Sequence, residues 1–383
     1  MRMRIQTLAV PSLLATGLLL AGCSAPAEEA SDEKAVEVAD PVVVTYDGGI
    51  YVLDGTTLEV QADLPLEGFN RLNPAGDGRH VLVSTADGFR VMDAVSAELS
   101  DDEFAAPKPG HAVNHAGVTA LFSDGAGEVT VFDPDDLGDG LPEAETYSTE
   151  QPHHGVAVQL ENGELLVTLG DEETRTGIKV LDADRNEITR NEECPGVHGE
   201  SAALHEAIVV GCEDGVLIYR DGVITKVASP DAYGRIGNTR GHEESPFILG
   251  DYKVDPEAEL ERPERVSIID TETGGLRLLD LGTSYSFRSL ARGPEGEGLL
   301  LGTDGSLHVI DMANAAVTAS YPVVGAWEEP LEWQEARPSV FVRGGTVYVN
   351  DPTTSKILAV DVATGEVTAE VALPKPANEM TGA

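Results

Sequence analysis

The chain has 383 residues, with 67 Asp and Glu against 25 Lys and Arg, for a formal charge of −42. A surface of that sign repels nucleic acid and anionic lipid headgroups and attracts cations. Both classes of polyanion are therefore excluded as partners.

Arg2 and Arg4 precede an apolar stretch from Leu8 to Ala21, which ends in Leu20-Ala21-Gly22-Cys23. The stretch is too short and wrongly flanked for a membrane-spanning helix, and it reads as a secretory signal with a lipobox over residues 1–22. Cys23 is then the lipidated first residue of the mature chain. Residues 23–40 are small and acidic without an aromatic, which is the composition of a flexible tether. The expected location is the outer face of the cell membrane, with the lipid anchor as the only membrane contact.

From residue 41 to 383 the chain repeats itself. Val-, Ile- and Leu-rich pairs of strands, separated by Gly, Asp and Asn turns, begin near residues 42, 80, 118, 165, 208, 247, 299 and 347. In most of these units the second strand of the pair closes on Asp. A period of about 40 residues with short strands and hairpin turns is the signature of a β-propeller of four-stranded antiparallel blades. The first unit lacks an innermost strand and the last has four, so the expected architecture is all-β with eight blades, seven being the alternative.

Four units open on histidine in the same register: His111, the pair His153 and His154, His198, and His242. The innermost strands of a propeller line its central channel, so one repeat position from each blade gathers at one mouth. Neighbouring units carry Asn70 or Arg71 and Arg288 near that position. Imidazoles with carboxylate support suit Zn2+ better than a calcium site, which prefers oxygen ligands. Glu200 and Glu243 supply the carboxylates, as ligands or as acceptors that fix a tautomer. His153 and His154 point to opposite faces of an extended strand, so one of the pair is expected in the channel. The competing reading is a set of channel histidines satisfied by backbone carbonyls. His80, His205 and His308 fall outside the register.

Two cysteines remain, Cys194 before one inner strand and Cys212 in the next strand of the same unit. In an oxidising compartment such a pair is expected as a disulfide. A metal-thiolate role is the alternative, since Cys194 lies four residues from His198.

The blocks Pro152-His153-His154-Gly155-Val156-Ala157-Val158, Cys194-Pro195-Gly196-Val197-His198-Gly199-Glu200 and Gly211-Cys212-Glu213-Asp214-Gly215 resemble the AztD family of extracytoplasmic zinc metallochaperones, over about residue 41 to the end. The resemblance implies a propeller that holds zinc and passes it to the solute-binding protein of a zinc ABC transporter. It also implies a carrier rather than an enzyme. The His-rich amino-terminal segment that such proteins can carry is missing between Cys23 and Val44. Two other functions remain open for a propeller: a metal-dependent, lactonase-like hydrolase and a protein-interaction platform. The chain has no Gly-x-Ser-x-Gly elbow, phosphate loop or His-Glu-x-x-His to favour catalysis.

Overall fold

The computed structural model describes residues 37–383. The expected signal sequence, Cys23 and most of the tether lie outside the described residues. Among those described, no helix is long and apolar enough to cross a membrane.

Eight four-stranded antiparallel sheets form the blades of a propeller. Numbered along the chain, blade 1 spans 42–65, blade 2 71–105, blade 3 109–148, blade 4 157–191, blade 5 198–228, blade 6 239–280, blade 7 290–322 and blade 8 339–372. The strand missing from the first unit is supplied by Ala377–Gly382, which pairs antiparallel with Val42–Tyr46 and completes blade 1 as its inner strand. Arg343 ties this closure: its guanidinium donates to the carbonyls of Asp40 at 2.5 Å, Pro41 at 3.1 Å and Ala383 at 3.2 Å.

Burial explains the strand composition. Val42–Tyr46 and Gly49–Leu53 are buried along their whole length, because the two faces of a blade are covered by its neighbours. They therefore read as continuous apolar runs rather than alternating ones. The outermost strands, such as Val60–Pro65 and Val367–Ala372, alternate between half-buried and exposed residues. The Asp that closes the third strand has a local task. Oδ1 of Asp54 accepts from the backbone N–H of Thr56 and Thr57, and Asp93, Asp270, Asp311 and Asp361 cap the same turn in their blades. Such side-chain turns start the fourth strand. The N–H of Thr57 also holds the Asp54 carboxyl below its usual range.

Cys194 and Cys212 form a disulfide, with Cα atoms 4.9 Å apart. Both thiols are thereby removed from the metal-ligand candidates. The bond lies fully buried beside Val197, Val210 and Leu217, and it joins the segment entering blade 5 to that blade's second strand. Its loop spans 18 residues. Reduction is expected to lower stability by about 3 kcal/mol through the unfolded chain, while metal binding by the histidines persists. Thermal unfolding with and without reductant, alongside metal analysis, checks both parts.

Candidate metal centre

His111 of blade 3, His198 of blade 5 and His154, on the segment leading into blade 4, come together at the channel. One nitrogen from each lies within 4.8 Å of the others. Their ring centroids are 5.1–5.3 Å apart, so the three rings form a triangle.

Two of the rings are anchored through Nδ1, and the third has a carboxylate close to that atom. His198 Nδ1 donates to the carbonyl of Gly237 at 2.6 Å. His154 Nδ1 donates to Asp124 Oδ2, also at 2.6 Å. His111 Nδ1 sits 3.2 Å from Glu200 Oε2. A carbonyl can only accept, so His198 must carry its proton on Nδ1, and the carboxylates favour the same tautomer in the other two. The Nε2 atoms are left with free lone pairs. This is how ligand histidines are oriented at zinc sites.

Two features of the backbone make the arrangement possible. Bulges interrupt the pairing of blade 3 between Pro109 and Ala112, and of blade 5 between His198 and Glu200, and bulges re-aim side chains. At Gly199, φ is +71° and a Cβ would come 2.4 Å from the Gly237 carbonyl that anchors His198. At Gly110 a Cβ would lie 2.1 Å from Asp124 Oδ1, so glycine leaves room for the carboxylate behind His154.

Electrostatics favour neutral imidazole. Burial, reinforced by the neighbouring His111, holds the His198 pKa well below its ordinary value. Glu200 Oε2 is buried without an aligned hydrogen-bond partner despite its closeness to His111. An orphaned carboxylate oxygen beside three imidazoles suits a divalent cation, which rewards both. A tetrahedral zinc with bonds of about 2.0–2.1 Å needs nitrogens about 3.4 Å apart, so modest ring movement brings the three into bonding range.

Other predicted site residues stand apart from the triangle. His153 is buried against the Phe122 ring, with Nδ1 2.9 Å from the Gln151 carbonyl and Nε2 3.0 Å from Thr168 Oγ1. Both nitrogens are occupied, and burial lowers its pKa. His242 lines the same cavity, but its Nδ1 accepts from the N–H of Glu244 at 3.2 Å. Glu243 is exposed. His115, on the same strand as His111, pairs with Glu206 at 2.9 Å. Sequence reading missed Asp124, Gly237 and the two glycines.

Of the segment Gly325–Glu335, Trp327 is pinned by Nε1 donating to the Gly302 carbonyl at 2.8 Å, whereas Leu331 and Trp333 are exposed. Trp333 also lines the cavity that holds the histidines.

No protein-family model matches the chain. It is 25% identical over 292 residues to the zinc chaperone AztD of Citrobacter koseri, spanning 74% of this chain and 67% of that protein. The crystal structure of apo AztD from Citrobacter koseri superposes with a TM-score of 0.76 at 21% identity, covering 90% of this chain and 96% of that one. The dihydro-heme d1 dehydrogenase NirN shares the propeller at 14% identity and a TM-score of 0.60, over 91% of this chain and 76% of that one.

Proposed function

We propose that this protein is a zinc chaperone that holds the metal at His111, His154 and His198 and hands it to the solute-binding protein of a zinc ABC importer. The observation that carries the reading is the triangle of three imidazoles, two of them anchored at Nδ1 so that Nε2 is left for the metal and the third beside the Glu200 carboxylate. Similarity to a zinc chaperone over most of the chain supports it. Cys23 and the acidic segment after it keep the protein on the outer face of the membrane, where an importer collects its metal. Zinc is cargo here, not a resident cofactor.

The geometry suits a carrier. Three protein ligands leave one tetrahedral position for an incoming group. The side chain of His154 is 41% exposed and that of His111 18%. A partner ligand therefore reaches the zinc from the His154 side. His154 leaves first, and His198, anchored to the Gly237 carbonyl, holds the metal to the end. Glu200, 3.2 Å from His111 without an aligned hydrogen bond, remains available as the rings release. His153, His242 and Glu243 take no part in the resting site. A lactonase-like hydrolase would be expected to present oxygen ligands for calcium, whereas this triangle is imidazole.

Transfer kinetics test the proposal. Zinc-loaded protein is mixed with increasing amounts of the zinc-free solute-binding protein, and the release rate is measured separately with an inert chelating trap. Direct hand-over predicts a transfer rate that climbs with partner concentration past the spontaneous rate. A rate capped at spontaneous release would leave a passive zinc binder and defeat the chaperone reading.

A further inference from the structure

The cavity of about 880 Å³ that contains the three histidines has a second wall of opposite character to the rest of the molecule. Acidic residues outnumber basic ones 67 to 25 along the chain. In the cavity lining the order is reversed: Arg71, Arg240, Arg288, Arg292 and Lys253 face Glu200 and Glu379. Asp124, behind His154, offsets part of that surplus.

The carboxylates do not satisfy the wall. Glu379 Oε1 lies 2.5 Å from Arg288 Nη2 and 3.7 Å from Arg71 Nε, so one carboxylate faces two guanidiniums. Arg240 donates to the carbonyls of Thr239 at 2.7 Å and Leu290 at 3.1 Å, and the Glu200 carboxylate offsets part of its charge. The Arg288 side chain is 7% exposed, yet its Nε has no partner, and Nη2 is close to Glu379 without being aligned to it. Ser339 is 5% exposed and its Oγ is also unpartnered. Val340 N–H donates to the Arg288 carbonyl at 3.2 Å, which sets Ser339 next to that arginine in the same lining. Buried donors left unpaired are rare and costly. Burial draws the Arg288 pKa down to about 10 against the pull of Glu379, and the neighbouring Arg337 and Arg71 push it the same way as burial.

We infer that the cavity is a binding site for a small oxyanion, of carboxylate or phosphate chemistry, held by Arg71, Arg288 and Ser339 across from the histidines. A planar guanidinium pairs with such an anion through two parallel N–H donors, and the Ser339 hydroxyl adds a second kind of donor. Coupling to the metal follows if the carrier reading is right: zinc adds two positive charges to a cavity already short of negative ones, so the anion binds more tightly to the loaded protein, and zinc more tightly in the anion's presence.

The test titrates zinc-free protein with sodium sulfate at constant ionic strength, by calorimetry. Sulfate has the oxyanion shape and is a poor zinc ligand. Saturable binding near one equivalent is expected. Arg71→Gln should weaken it at least tenfold; this side chain is 44% exposed, so the variant folds. Ser339→Ala removes an unpaired hydroxyl, so the thermal midpoint should hold or rise while sulfate affinity falls several-fold. A merely structural serine would not separate the two readouts. Absence of saturable binding, or equal affinity in both variants, overturns the site. Repeating the titration on zinc-loaded protein should give tighter sulfate binding, and equal affinity would overturn the coupling. A protein that binds sulfate but no zinc would sink the carrier reading and leave this one standing.

Discussion

Replacing His111, His154 and His198 together by alanine is expected to abolish zinc binding while leaving the propeller folded. The three rings sit at the channel, apart from the apolar clusters between blades, so their removal opens no cavity in the core. Loss of a partner behind a ligand typically costs about 10–100-fold in metal affinity, and loss of a ligand itself costs more. Asp124→Ala should therefore fall between wild type and His154→Ala. His242→Ala and His153→Ala should keep full affinity, though the second is expected to lose stability, since it removes a buried ring with both nitrogens paired. Chelator competition on each variant, with circular dichroism as the folding control, gives the ranking. One equivalent of zinc retained by the triple variant would sink the site.

Acidification should strip the metal almost as completely. Zinc binds neutral imidazole, and an unperturbed imidazole takes up its proton near pH 6.5. Below that, affinity is expected to fall with a slope of up to about three decades per pH unit as three ligands compete with protons. His198 is the last to be lost, because burial holds its pKa well below the ordinary value. The same shift bears on the zinc-free fold. Unfolded His198 binds a proton near pH 6.5 and the folded residue only at lower pH, so the unfolded state holds more protons between those limits. Stability must then rise with pH across that window and decline on acidification. Affinities from pH 7.5 to 5 and unfolding midpoints of the metal-free protein check both. Unchanged zinc affinity at pH 5 would mean oxygen ligands.

The propeller was legible because each blade repeats its own local chemistry: apolar runs for the buried strands and a closing Asp that caps the following turn. The choice of eight blades over seven turned on the strand absent from the first unit, which the structure finds at Ala377–Gly382. The histidine register was legible for the same reason, in three blades. It broke at blade 6, where the inner strand is only Thr239–Arg240, so the chain has left the ladder before His242 and bridges instead to Ala203. His153 and His154 are expected on a pleated strand, but they precede the first strand of blade 4, Ala157–Gln159; Phe122 and Thr168, more than ten residues away in either direction, hold His153 out of the channel. Asp124 and Gly237 were hidden because they reach His154 and His198 across 30 and 39 residues of chain, between blades, where no local pattern points.

Placing two imidazoles on separate sheets, and the third on the segment that leads into the sheet between them, also has a mechanical consequence. Blades touch their neighbours mainly through side-chain packing, which tolerates small sliding motions, whereas hydrogen bonds knit each blade internally. A metal bonded to all three rings is a staple across two blade seams. It binds only when blades 3, 4 and 5 are in register, so loading selects the aligned arrangement and stiffens that third of the ring. The reverse also holds: anything that shears one seam pulls a ligand away from the ion. A docking protein that leans on blade 4 could thus loosen zinc without touching it, through the compliance of the ring itself.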